Sequence, residues 1–343
     1  MSGNPFEQQR ALAAGAAVAV LDRGIVTVAG PDRLTWLDSM TSQAIAGLRP
    51  GGSAESLLLD PNGRIEHVLR VADDGETAWL IVDAAEAAPL AAWLDRMRFR
   101  LRVEVRDRSP EFAVVGFFLA RIQPGGDQAA VDGLGTLPAS TPVWRDPWSS
   151  IQPGGHGYAE VAHHPGDEWS WVEAVVPRDA VPADAVPQSA FDALRIAAWR
   201  PDWTTEVDER SIPHELDWLR SAVHLGKGCY RGQETIAKVH NLGHPPRRLV
   251  FLQLDGSDTV YASHGDPVVL GDDAVGVVTS AAVHYELGPI ALALVKRTTD
   301  PAAALAVVHE GVRLAAAQEI VVPPTAGATA EVPRIPRLGA ARR

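Results

Sequence analysis

Lys227-Gly228-Cys229-Tyr230-Arg231-Gly232-Gln233-Glu234 is the densest run of chemistry in this chain of 343 residues. Its two glycines permit sharp turns and let a ligand come close to backbone. Lys227 and Arg231 flank the cysteine, and nearby cations favour the thiolate, the form that attacks electrophiles and binds soft metals. Gln233 and Glu234 add directional acceptors. Two readings follow from this chemistry. One is a reactive thiol in a glycine-bounded loop. The other is a glycine-rich turn ahead of a helix, holding an inert and buried cysteine.

Cys229 is the only cysteine. One chain therefore makes no internal disulfide and no cysteine-only zinc or iron–sulfur site, and a reducing cytoplasmic setting fits best. Thirty-one basic against 43 acidic residues give a net charge of −12. That balance argues against charge-driven coating of nucleic acid. The run Arg96 to Arg108 reads as a solvated strand face rather than a phosphate contact. The apolar run from Ala11 to Leu21 is too short for a bilayer, and Glu7 ahead of it spoils a signal-peptide core. No membrane partner is expected. Phosphate-loop, zincin and serine-hydrolase signatures are absent. His163-His164 has no companion ligands, so no metal site is assigned.

Working outward from the octet, residues 1–110 alternate strand and helix signals. Gly24–Gly30 reads as a buried strand and Asp32–Thr41 as a helix, followed by an Asp60-Pro61-Asn62-Gly63 turn. Ile65, His67, Leu69 and Val71 share one face of the next strand. Trp79–Val82 is another strand, and Ala84–Met97 is a helix. Phe99, Leu101, Val103 and Val105 alternate with charged residues as a half-buried strand. Phe112–Ala120 is a buried strand, and Trp169–Val176 reads as one more. Ser189 is placed as the cap of a helix over Ala190–Trp199. Trp36, Trp93 and Trp218 fall on apolar stripes and read as core. From Arg247 on, short strands separated by Gly-Asp steps have the rhythm of a small antiparallel barrel. Periodicity alone thus supports α+β followed by all-β.

The octet resembles the Lys-Gly-Cys-Tyr-x-Gly-Gln-Glu signature of the YgfZ family of folate-binding, tRNA-modification-linked proteins, within the glycine-cleavage T-protein superfamily. Leu21-Asp22-Arg23-Gly24, Asp60-Pro61-Asn62-Gly63-Arg64-Ile65, Ile212-Pro213-His214-Glu215 and Val275-Gly276-Val277-Val278-Thr279-Ser280 look like further family segments. The resemblance implies an α+β, three-lobed T-protein-like fold around a central cavity, with a C-terminal antiparallel β-barrel. It implies a first lobe from residues 1–48 and 112–245 carrying the folate cavity and the Lys-Gly-Cys-Tyr loop. An α+β lobe would be inserted at 49–111, the barrel would cover 246–322, and 323–343 would be a disordered tail.

The function so implied is that of a folate-binding accessory protein supporting assembly or repair of iron–sulfur enzymes, including tRNA-modifying ones. Its partners would be iron–sulfur enzymes or their assembly proteins. The cofactor would be tetrahydrofolate or a derivative, bound non-covalently. Cys229 and Lys227 would carry the chemistry. Phe191 matches the family's ring-stacking aromatic. Gly24 matches a strand start near the binding hole, and Glu160 the place of a carboxylate that pairs with pterin nitrogens. Arg195 would meet the glutamate tail, and Trp199 offers an indole where much of the superfamily has glycine. The alternative is a tetrahydrofolate-dependent aminomethyl- or methyl-transferase. Against it, Glu66 and His67 stand where T-proteins carry an acidic pair, and a glutamate sets its carboxylate one methylene farther out.

Overall fold

The computed structural model describes residues 3–119, 141–257 and 260–330. Strands β1 (Ala19–Leu21) and β2 (Arg23–Ala29) follow helix α1 (Pro5–Ala13), then come α2 (Arg33–Met40), β3 (Ser53–Leu59), β4 (Ile65–Asp73), β5 (Thr77–Asp83), α3 (Ala87–Met97), β6 (Glu104–Asp107) and β7 (Phe112–Phe118). After these lie β8 (Val143–Arg145), β9 (Trp171–Pro177), α4 (Gln188–Ala197), the short α5 (Trp203–Glu206) and α6 (Gln233–Leu242). The last part is all strand: β10 (Arg247–Leu254), β11 (Pro267–Leu270), β12 (Asp273–His284), β13 (Gly288–Lys296), β14 (Leu305–His309) and β15 (Val312–Ile320).

Side-chain alternation along the strands sorts these elements into three β systems. A five-stranded sheet has the order β3-β4-β5-β2-β6. One face buries Val26, Val28, Leu69, Val71 and Leu80 against Trp36 and Leu37 of α2 and Leu90 and Leu94 of α3. A four-stranded sheet runs β1-β7-β9-β8, and β10-β13-β12-β11-β14-β15 closes as a six-stranded barrel. The opposite faces of both sheets and the outward side chains of β10 and β13 meet in one apolar cluster. It includes Ile25, Ile65 and Ile81, then Val114, Trp171 and Val175, then Leu249, Phe251 and Leu292. Five tryptophans, Trp144, Trp148, Trp171, Trp199 and Trp218, are completely or almost completely buried there. Each large side chain so buried contributes roughly 1.5–3 kcal/mol.

Several expectations need correction. Arg23–Ala29 pairs with both β5 and β6, so this strand belongs to the five-stranded sheet, with α2 packed on it, rather than with α1 and β1. Gly24 makes that position possible: an added Cβ would lie 2.5 Å from Ala87 Cβ, where α3 crosses the strand. The pairing of β3 with β4 shifts between Leu58 and Leu59. That irregularity puts Ile65 in the common core while Leu69 and Val71 face α2 and α3. The expected strand through Phe99 begins only at Glu104. Before it, a turn closed by Leu101 N–H to Arg98 O leaves Phe99 82% exposed at φ 45°. Helix α4 starts at Gln188, with Pro187 preceding it and no side-chain cap, so Ser189 lies inside the first turn. Trp36 and Trp218 are buried, whereas Trp93 is half-buried. Part of the expected tail is docked. Ala326 is buried, and the backbone N–H groups of Ala328, Thr329 and Ala330 donate to carbonyls of Val239, His240 and Asn241. The rest of that tail, 331–343, lies outside the described residues.

Candidate functional site

The octet forms the connection into α6, and nearly every side chain in it is tied inward. Helix α2 leaves its last carbonyls without intrahelical partners. Lys227 Nζ fills that need, donating to Asp38 O (2.6 Å), Thr41 O (2.9 Å) and Gln43 O (2.8 Å), with Asp38 Oδ1 at 3.4 Å. A cation at a helix C-terminus also opposes the helix dipole favourably. Burial lowers the Lys227 pKa, and Asp38 works against that shift. Tyr230 is buried in the common core, and burial pushes its phenol up to about 12. Arg231 grips Glu66 with both terminal nitrogens, at 2.7 and 3.2 Å, and lies 5.9 Å from the centre of the Trp93 ring. Gly232 adopts φ 84°, and a Cβ there would meet Asp60 O at 2.7 Å. Gln233 Nε2 donates to Lys227 O at 3.2 Å and closes the loop.

Glu234, in the first turn of α6, is exposed, and so is Cys229. The cysteine is a free thiol, and beside it Gly228 has open space where a Cβ would be. The two cations read from the sequence as thiol activators are engaged elsewhere, one with carbonyls and Asp38, the other with Glu66. What the arrangement does is present one sulfur to solvent from a firmly held frame.

Glu66 and His67, adjacent on β4, do not converge. Glu66 binds Arg231 beside the loop. His67 Nδ1 lies 2.5 Å from Glu86 Oε2, and burial lowers its pKa to about 4.

Nor do the residues expected to hold folate present free groups. Phe191 is 3% exposed and stacks on Trp171 with centroids 4.3 Å apart. Trp199 is 2% exposed, at φ 57°, between His164 and Phe251. Arg195 has spent its donors on Asp192, Glu206, Thr205 and the carbonyl of Arg200. Gly24 is a close-packing glycine, as described above, and Glu160 is exposed in an irregular segment. Phe191 and Trp199 thus share the apolar core, while Cys229 stands at the surface. A cleft of about 520 Å³ borders that core, lined among others by Trp169, Leu194, Ala198 and Tyr285, and contains none of these expected residues.

Sequence reading missed where polar capacity is left over. Tyr158 Oη and His214 Nδ1 are buried without a hydrogen-bond partner, and Asp217 Oδ2 has only the Arg220 guanidinium, 3.6 Å away. The Tyr158 and His214 rings are 6.4 Å apart, and Asp217 Oδ1 accepts from Tyr158 N–H at 2.7 Å. Burial pushes Asp217 up to about 7, against the pull of Arg220, and it holds a left-handed φ of 56°. Buried groups of this kind call for a water or a ligand. The Gly157-Tyr158 and Pro213-His214-Glu215 steps were visible, but their meeting was not. Among the described residues no group of three or more His, Cys, Asp or Glu is disposed to hold a metal, and no helix is long and apolar enough to cross a membrane.

Comparison with known proteins places this geometry. Residues 247–325 match the glycine cleavage T-protein C-terminal barrel domain. The chain is 26% identical over 299 residues to an aminomethyltransferase of Nostoc sp., covering 79% of this chain and 74% of that protein. It is 25% identical over 238 residues to the iron-sulfur cluster assembly factor IBA57 homolog, mitochondrial, of Pyricularia oryzae, covering 68% of this chain and 56% of the other. The crystal structure of glycine cleavage system aminomethyltransferase T from Bartonella henselae superposes with a TM-score of 0.68 at 18% identity, over 94% of this chain and 89% of that one. The fold is therefore the α+β, three-lobed T-protein fold with its closed antiparallel barrel.

Proposed function

We propose that this protein is a folate-binding accessory factor of the YgfZ type, which lends the Cys229 thiol to iron–sulfur enzymes or their assembly proteins in the cytoplasm, tRNA-modifying enzymes among them. The observation that carries the reading is the mounting of the loop. Lys227, Tyr230, Arg231 and Gln233 are all fastened inward, and the one side chain left facing solvent between them is a sulfur. A buried structural cysteine would need no such frame. One thiol does not hold a cluster, so the remaining ligands come from a partner. The similarity to a cluster assembly factor homologue points the same way. The transferase alternative has less support, because Glu66 is committed to Arg231 and His67 turns toward Glu86.

Folate enters this reading through the resemblance. The unspent groups of Tyr158 and His214, beside Asp217, are the interior groups best able to receive a polar heterocycle.

The test replaces Cys229 with Ser in a strain whose own copy is deleted. The variant should unfold within about 0.5 kcal/mol of the parent, as surface substitutions do. It should fail to restore the activity of a cluster-dependent tRNA-modifying enzyme. Full restoration by the serine variant removes the thiol from the mechanism. Calorimetric titration with tetrahydrofolate tests the other half: no binding at high micromolar concentration removes folate from it.

A further inference from the structure

Six arginines are buried among the described residues. Five of them, Arg23, Arg70, Arg195, Arg200 and Arg220, have a carboxylate oxygen within 4 Å. Arg248 has none. It lies on β10 two residues before Val250, and Val250, Leu252 and Leu254 line the barrel interior, so its side chain enters the end of the barrel. It is 0% exposed. Its Nη2 donates to Thr299 O at 2.9 Å and to Gln318 Oε1 at 3.3 Å. Nε and Nη1 are buried with no acceptor, and so is the Thr299 hydroxyl.

The charged groups around this end do not compensate it. The Asp300 carboxylate is turned to the N–H of Ala302, Lys296 Nζ donates to Ala274 O, and Arg297 donates to Pro324 O. Burial lowers the Arg248 pKa and no acid offsets it. A guanidinium does not solve the problem by losing its proton. A water would satisfy the hydrogen bonds but leave the charge, and an unpaired buried charge is among the costliest features a fold can carry.

We propose that this end of the barrel is a binding site for a small monovalent anion of chloride size, held by Nη1 of Arg248 and by the Thr299 hydroxyl. One positive charge is unmatched, which sets the valence, and complete enclosure of the side chain sets the size. The inference is independent of the role proposed for Cys229.

The experiment uses the full chain at constant ionic strength, with chloride exchanged for gluconate, which is too large to enter. The melting temperature of the parent should rise saturably with chloride. In Arg248→Met that response should vanish, and the variant should gain most over the parent in gluconate, where the parent's charge is bare. Thr299→Val, which keeps the cation, should shift the chloride midpoint to higher concentration, and it carries the test if Arg248→Met does not fold. A crystal grown with bromide should show an anomalous peak within hydrogen-bonding distance of Nη1. Identical chloride responses in parent and variants, or a bromide crystal with no peak there, overturns the proposal.

Discussion

The seam around Asp202 and the loop around Cys229 both use cations to hold structure, in opposite directions. At the seam, Asp202 takes Arg23 Nη2 at 2.6 Å and Arg70 Nη2 at 2.9 Å, joining β2 and β4 to the segment that caps α5. Arg195 continues the network to Glu206, whose other oxygen accepts from Ser280 of the barrel. Every member is buried, and the charges face one another. In the loop, Lys227 and Arg231 reach away from the residue between them and leave it outside. A buried network of mutually matched charges locks lobes together. A surface loop pinned at its flanks has one free group and little freedom to lose when a partner takes it.

Asp202→Ala should produce the largest effect. Removing one partner of a buried ion pair leaves the other charge uncompensated and typically costs 3–5 kcal/mol. Urea unfolding of the full chain measures it. The pH dependence sharpens the point. Arg23, Arg70 and Arg195 hold Asp202 far below its ordinary pKa although burial alone would raise it. A depressed carboxylate stabilises the fold above its unfolded pKa, about 3.9, and that contribution disappears as pH falls through the folded value. The gap between parent and variant should therefore be full at pH 7 and narrow below about pH 4. A gap that persists unchanged in acid would mean that packing, not charge, makes the seam.

Lys227→Met comes next. It leaves three carbonyls near the end of α2 without their donor, and charged hydrogen bonds of this type contribute roughly 1.5–3 kcal/mol each. A net loss of about 2 kcal/mol is expected. The alkylation rate of Cys229 by iodoacetamide should change less than about threefold, because Lys227 serves the frame. A drop beyond about tenfold would restore Lys227 as the activator of the thiol and break the contrast between loop and seam. Glu66→Gln gives the smallest change, under about 1 kcal/mol, since the Glu66–Arg231 pair is about one-third exposed on each side. A larger loss would show that this pair anchors the loop as firmly as Lys227 does.

Much of this arrangement was readable in advance, and the misreadings share a cause. The octet, the barrel rhythm after Arg247 and the helix over residues 87–97 are local patterns, and local patterns survive translation into structure. Arg195 on a helix and Arg231 beside a cysteine look alike as letters. One is sealed against Glu206 and the other lies on Trp93 at the surface. The Phe99 strand failed because alternation over a few residues does not reveal that a helix has just ended and the chain must turn. The shared face of Ile65 and Leu69 failed because the irregularity between β3 and β4 shifts the side-chain phase, and register depends on the neighbouring strand.

By itself the sequence determined the class of fold, the family resemblance and the singular status of Cys229, because these rest on residue identity and short-range periodicity. Only the tertiary structure decided that the thiol faces outward, that its flanking cations belong to α2 and β4, that Phe191 and Trp199 are core, and that Arg248 alone among the buried arginines lacks a carboxylate. Those outcomes depend on which distant side chain fills each donor's reach, and chain order does not encode that distance.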